Sequence, residues 1–428
     1  MPIPTFGTQF NLTTAPGNQY FGHVTALANG NFAAAWFDES SQDIIVRVFS
    51  SSGVPISGQV TLTTTSGSGF SSLDIQSLAD GRFVVAFEDT ALNGGDVRAQ
   101  MFSSNGQLFG AEFSGNGLST AGRQDTPTIA ALPDGNFIIG YRNENASPDD
   151  IGFYRFRSDG AVLNGQGQAN FANSSDDYFG TSVTLDDGRS LWFYVSAESG
   201  VNTLRATGVS LDSFSWVTTE ATVSDGGSNP QLNLSSPPRA VLLADGNVAV
   251  VWQDNTGEIN GRIVTIVGAT VTMVSGIFSI DASANRITGL TALIDGGFVV
   301  GFDENAGADG FIRQFNSDGT PVDAAQAIPG GNSDGGVDLT TLADGRLVAT
   351  YYYLSASFDQ VAQIYDPRLV GLNGSASSFA DDWHGTGFSD NVFMGLANDI
   401  FHGAGGNDYV YGEAGADTLF GGDGADYI

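Results

Sequence analysis

The sequence predicts an all-β fold built almost wholly from repeats, and three observations carry that expectation. Short apolar runs, each introduced by Asp-Gly or Asn-Gly, recur seven times. An aromatic residue stands at one fixed position in every run. A second and shorter period, of nine residues, takes over near the C-terminus.

The seven runs follow the tetrapeptide Leu-x-Asp/Asn-Gly, whose glycines are Gly30, Gly81, Gly135, Gly188, Gly246, Gly296 and Gly345. Asp-Gly and Asn-Gly supply the positive φ of a tight hairpin turn. Runs such as Phe32-Ala33-Ala34-Ala35-Trp36 read as strands buried on both faces. The sixth residue after each glycine is Trp36, Phe87, Tyr141, Tyr194, Trp252, Phe302 or Tyr351, a pattern expected of packing between repeats. One strand precedes each turn and two follow the aromatic position. Four antiparallel strands in about fifty residues are the signature of a propeller blade. Seven units give seven blades. Repeat five matches least well in its third strand, and repeat four has Ser190 at an otherwise apolar position. Phe6-Gly7-Thr8-Gln9-Phe10 resembles the fourth-strand segment Phe109-Gly110-Ala111-Glu112-Phe113, whereas repeat seven lacks a fourth strand. Residues 5–13 are therefore expected to close the ring as the outer strand of blade seven, leaving no open edge.

Composition narrows the partners. Fifteen arginines, no lysine and 47 acidic residues give a net charge of −32. Such a chain cannot neutralise a run of phosphates, and an anionic membrane surface is equally unsuited. No stretch is long and apolar enough for a spanning helix. Zero cysteine excludes disulfides, thiolate metal sites and a cysteine nucleophile.

Beyond residue 376, aspartates recur every nine residues: Asp381, Asp390, Asp399, Asp408, Asp417 and Asp426. Two positions after each stands Trp383, Val392, Phe401, Val410, Leu419 or Ile428. The units Gly403-Ala404-Gly405-Gly406-Asn407-Asp408, Gly412-Glu413-Ala414-Gly415-Ala416-Asp417 and Gly421-Gly422-Asp423-Gly424-Ala425-Asp426 approach Gly-Gly-x-Gly-x-Asp-x-U-x. Glycines permit turns whose carbonyls converge, and aspartates add the hard oxygens that calcium requires. This segment resembles the calcium-binding repeats of RTX, or hemolysin-type, secreted bacterial proteins. The resemblance implies a parallel β-roll with two nonapeptides per coil, which pairs Asp408 with Asp426, Asp399 with Asp417 and Asp390 with Asp408. It implies calcium as cofactor, with Asp390, Asp399, Gly403, Gly405, Asn407, Asp408, Gly412, Ala414, Asp417, Gly421, Asp423 and Asp426 as the donor set. Phe379, Phe388 and Ala397 replace the fourth-position glycine, so the earlier turns are expected to bind weakly or to cap the roll. It further implies an extracellular or cell-surface location, reached without a cleaved N-terminal signal by a one-step route. The expected division is a propeller over 1–366, a linker over 367–380 and the roll over 381–428.

No His-Glu-x-x-His, Gly-x-Ser-x-Gly or repeated Ser-x-Asp-x-Gly-x-x-Trp motif occurs, and the three histidines are His23, His384 and His402. The favoured reading is non-enzymatic, multivalent carbohydrate binding of the lectin or adhesin kind, on polar loops of one rim. Candidate ligand residues are Asp38, Arg47, Asp89, Gln100, Asn143, Asp254, Glu304 and Arg313, together with the connections 118–127, 174–180, 224–238 and 329–336. The alternatives are a polysaccharide hydrolase or lyase, and an extracellular scaffold. The sugar, the number of binding blades and the oligomeric state are left open.

Overall fold

The computed structural model describes residues 2–428 apart from 63–71, 91–94, 118–121, 145–148, 169–175, 199–200, 211–214, 216, 225–231, 234–235, 283, 305–308, 330–334 and 355–357. Much of the expected loop set, including 225–231 and 330–334, thus lies outside the described residues. Among the described residues there are strands and turns but no helix, and so no helix able to cross a membrane.

All seven turn glycines adopt φ between 77 and 99°. In the first turn Gly30 donates its N–H to Leu27 and Leu27 donates to Asn31. Asp80, Asp134, Asp187, Asp245 and Asp344 accept the N–H two residues on, which fixes the turn's second half. The runs that follow become the second strand of each blade. Phe32–Asp38 and Phe83–Asp89 are buried along their whole length.

Six sheets follow chain order from the inner to the outer strand. The seventh comprises Gly335–Thr341, Leu347–Leu354, Phe358–Tyr365 and, as its outer strand, Thr5–Asn11. Thr5 pairs with Tyr365 and Asn11 with Val361, so the expected N-terminal clasp is present. Closure is equally visible in the core. Seven apolar clusters each join one pair of adjacent blades, and one of them packs Val24, Phe32 and Trp36 of blade one against Leu342, Val348 and Ile364 of blade seven. The seven fixed aromatics are all at most 3% exposed. They fill the spaces between blades, where truncating one costs about 3–5 kcal/mol.

The two irregular repeats have local causes. Ser190 is buried and its hydroxyl accepts the indole N–H of Trp192 at 2.6 Å, satisfying a donor that an alkyl side chain would strand. In blade five the third strand, Ile259–Val267, pairs with both Thr270–Met273 and Phe278–Asp281, giving a five-stranded sheet.

After Asp366 the chain forms two parallel three-stranded sheets. One contains Asn373–Ser375, Asn391–Phe393 and Tyr409–Tyr411; the other Asp382–His384, Ile400–His402 and Thr418–Phe420. Partners are eighteen residues apart, such as Trp383 with Phe401 and Val392 with Val410, as a two-nonapeptide coil requires. Leu372, Trp383, Val392, Met394, Phe401 and Val410 form the narrow core. The first strand of this β-roll lies in the stretch expected to be linker.

Candidate functional site

The eight residues read from the rim are largely committed within the ring. Arg47 donates to the carbonyls of Ser57 and Leu12. Arg313 donates equivalently to Asp323 and Ile280. Gln100 donates to Met101 and Phe109. Asp38 accepts from Ser40 and Ser41, and Asp254 from Thr256 and Glu258, each closing its own turn. Asn143 accepts from Gln124, Asp89 is buried, and Glu304 bonds through its backbone to Asp309. These residues brace strand to strand, and none of the eight lines the central cavity. Sequence reading found the positions of recurrent polarity but not their purpose.

What it missed is the cavity itself. The seven inner strands surround a channel of about 570 Å³. In four of them the pairing register slips just before a channel-facing residue: His23, Thr128, Thr181 and Asp338. Such bulges re-aim side chains. Asp338 accepts the N–H of Val24 in the next blade at 2.9 Å and lies 3.5 Å from His23 Nδ1 and 3.9 Å from Arg239. Asp74 spans the next-but-one gap, accepting the N–H of Ile129 at 2.7 Å. Burial drives the Asp74 carboxyl up to about 7, with Asp338 adding to the rise and Arg239 opposing it. Burial also lowers His23, so its imidazole is neutral. Where the start of the first inner strand meets the second and third strands of blade seven, Tyr20, Tyr352 and Phe358 form a half-buried aromatic trio with ring centroids 5.4–6.5 Å apart. Tyr352 takes a hydrogen bond from Arg286, which is paired with Asp303 at 2.7 Å.

The roll presents a different chemistry. Each coil aspartate accepts the N–H of the aspartate eighteen residues earlier: Asp399 from Asp381, Asp408 from Asp390, Asp417 from Asp399 and Asp426 from Asp408, at 2.9–3.1 Å. That bond uses one carboxylate oxygen. The second oxygens of Asp399 and Asp408 are buried and have no hydrogen-bond partner. Burial raises both carboxyls, and neighbouring aspartates raise them further. Glycine is required around them. A Cβ on Gly403 would lie 2.0 Å from the Gly421 carbonyl and 2.5 Å from Asp408 Oδ2, and one on Gly421 would lie 2.3 Å from Asp426 Oδ2.

Residues 395–428 match the model of the RTX calcium-binding nonapeptide repeat in four copies. The C-terminal coils are RTX repeats. No curated protein matches the chain in sequence. Solved structures similar to the ring include a polysaccharide lyase, Uly1, at 10% identity and TM-score 0.57, covering 84% of this chain and 92% of that one. A PL25 ulvan lyase aligns at 8% identity and TM-score 0.52, covering 83% and 95%. A protein of unknown function from Dyadobacter fermentans aligns at 12% identity and TM-score 0.51, covering 82% and 95%. Likeness at this identity establishes the fold.

RTX repeats are calcium-binding and typical of secreted bacterial proteins, and the donor set here fits calcium. The orphan oxygens of Asp399 and Asp408, the carboxylates of Asp417 and Asp426 and the glycine-flanked carbonyls are all hard oxygens. When bound, the ion supplies the positive charge that this carboxylate stack lacks. Other members of the expected set behave differently. Asn407 gives its side-chain oxygen to the Ala425 N–H. Gly405 and Asp423 face each other across a parallel bridge, and Gly412 and Ala414 shape the turn against Asp417 and Gly395. Asp390 is already satisfied: Thr386 donates its N–H to one oxygen and its hydroxyl to the other, both at 2.8 Å. Ser377 puts both its donors on one oxygen of Asp381 and leaves the other buried without a partner. The early coils thus carry hydroxyl plugs where later coils have Gly395, Ala404, Glu413 and Gly422.

The RTX roll is seated on the ring's turn face. Arg368 donates to the carbonyls of Asp344, His384 and Gly385 at 2.6–2.9 Å. Burial alone would raise Asp344, but Arg346 and Arg368 hold its carboxyl below the ordinary value. The Phe6 ring, from the clasp strand, meets His384 edge-on at 5.1 Å and Arg346 face-on at 4.4 Å.

Proposed function

We propose that this is an extracellular, calcium-loaded carbohydrate-binding protein whose ligand site is the rim of blades one and seven that carries Tyr20, Tyr352 and Phe358. The observation that carries the reading is the half-buried trio Tyr20, Tyr352 and Phe358 beside the Arg286–Asp303 pair. Sugars offer hydroxyls to fixed charged groups and C–H faces to aromatic rings, and this rim provides both on a rigid scaffold. The ring-fold neighbours that act on polysaccharides are consistent with a carbohydrate partner. In this reading the RTX coils are filled at the calcium levels outside cells and act on stability. A glycan-array screen in millimolar calcium tests the proposal, followed by Tyr20→Ala and Tyr352→Ala. Binding that falls at least tenfold in both variants supports it. Absence of any glycan binding, or binding indifferent to both substitutions, overturns it.

A second reading, as a polysaccharide hydrolase or lyase, is favoured by one feature. Asp74, raised to about 7, and neutral His23 line the channel with Arg239. A carboxyl poised near neutrality suits general acid–base work. Release of reducing or unsaturated ends from neutral and acidic polysaccharides, abolished in Asp74→Asn, would establish catalysis.

A further inference from the structure

The nonapeptide period does something beyond stacking aspartates. It places His384 and His402 eighteen residues apart, in register on neighbouring parallel strands. Their imidazoles stack with centroids 4.6 Å apart and planes 13° apart. Asp382, on the same sheet, sets Oδ1 3.7 Å from His384 Nε2 and 3.6 Å from His402 Nε2. Among the described residues this is the one group of three ligating side chains whose donor atoms all lie within 4.8 Å of one another.

Two of the three donors are orphans. Asp382 Oδ1 and His384 Nε2 are buried and have no hydrogen-bond partner. A plain aromatic ladder does not need them. Phe393 and Tyr411 stack at 4.7 Å on the other sheet with no carboxylate aimed at the pair. A buried acceptor and a buried imidazole nitrogen left unpaired cost free energy, so the arrangement calls for a partner between them.

We propose that Asp382, His384 and His402 form a binding site for one divalent transition-metal ion of the zinc class, at the joint between roll and ring. Two imidazoles and a carboxylate suit zinc, whereas calcium prefers six to eight oxygens. Tetrahedral bonds of about 2.0–2.1 Å place donors about 3.3 Å apart, so the two carboxylate–imidazole distances contract by about 0.3–0.4 Å, while the imidazole nitrogens, within 4.8 Å of each other, have their own gap to close. Parallel rings do not aim both lone pairs at one point, so one ring turns on binding. His402 is the freer of the two, its side chain 41% exposed against 17% for His384, and turning gives up its stack on Phe420 at 5.3 Å. Its exposure also leaves a coordination position for water. Arg346 and Arg368 are the cations nearby, and Asp344 and Asp366 pair with them at 2.7 Å each. Gly30 of blade one lies against Asp382, its Cβ position 3.5 Å from the Asp382 nitrogen, and Phe6 of the clasp packs on His384. The ion would therefore tie the roll to blades seven and one, independently of the calcium coils.

The test uses the full chain in saturating calcium, so that the coil carboxylates are filled. Zinc is titrated calorimetrically, and cobalt(II) is titrated in parallel by visible absorption. One zinc per chain is expected, with affinity reduced more than tenfold in His402→Ala and in Asp382→Asn, and an intense tetrahedral cobalt spectrum. The calcium-dependent melting of each variant verifies that it is folded. If a variant fails to fold, the wild-type cobalt spectrum decides: a pale octahedral spectrum overturns the site. So does the absence of stoichiometric zinc, or equal zinc affinity in the folded variants.

Discussion

Asp408→Asn separates what calcium contributes from what packing contributes. The amide preserves volume and can still accept the Asp390 N–H, now bonded at 2.9 Å. It removes the anionic charge behind Oδ2, which is buried and unpartnered. Extracellular calcium modules have dissociation constants near 0.1–1 mM, so at about 10 mM calcium a site at the tight end stabilises the folded roll by about 2.7 kcal/mol. Losing one of the two carboxylates and weakening the site tenfold or more leaves about 1.4 kcal/mol or less. Without calcium the substitution is neutral or slightly stabilising, because a buried unpaired charge has gone. Scanning calorimetry of the full chain, with and without calcium, reads both states. The control is Asp390→Asn, whose oxygens are occupied by Thr386 and by the Leu372 N–H. That variant loses internal bonds but keeps the wild-type calcium increment. A wild-type increment in Asp408→Asn, or an equal loss in Asp390→Asn, would refute the assignment.

Other expectations test the ring and the turns. Gly403→Ala, whose Cβ would lie 2.0 Å from the Gly421 carbonyl, abolishes the calcium-induced increment in melting temperature. Gly387→Ala, with nothing within 4 Å of its Cβ, leaves that increment unchanged. Asp74 is raised to about 7 in the fold, so its contribution to stability is fully present below about pH 4 and is lost as the pH rises to about 7. Asp74→Asn should flatten that part of the melting profile, and an unchanged pH dependence would rule the group out. Phe10→Ala removes a half-buried ring that packs on Phe32 and Phe49, and should cost about 1–2 kcal/mol by denaturant midpoint.

The ring was legible because its turns repeat a backbone requirement. Gly30 and its six counterparts need positive φ, so evolution of the loops leaves the signal standing in the sequence. The clasp was legible from Phe6–Phe10 for a similar reason, since an outer strand keeps its own pattern wherever it lies in the chain. The channel's polar positions were legible but went unread. His23, Asp74, Arg239 and Asp338 each stand seven residues before their turn glycine, on four different inner strands, and they meet once the ring has closed. Arg47 and Arg313 bond backbone carbonyls, and in sequence a recurring polar position looks the same whether it faces a ligand or a carbonyl. In the roll, the period gave the aspartate ladder directly. Ser377 and Thr386 carried a further signal, hydroxyls four residues before their aspartates, which becomes intelligible only when their bonds are seen. His384 and His402 were one coil apart all along; the missing piece was that their shared face turns toward the ring.

The clasp also has a timetable. Thr5 pairs with Tyr365, so the first strand synthesised waits for almost the last strand of the ring. At about 5–20 residues per second that wait lasts tens of seconds, during which six blades stand without their seventh partner. Non-local pairing of this kind is slow in any case. The roll is made later still, and it rests on Phe6 of that same strand. Closing of the ring thus waits on synthesis, and the roll that rests on the clasp strand is added after it.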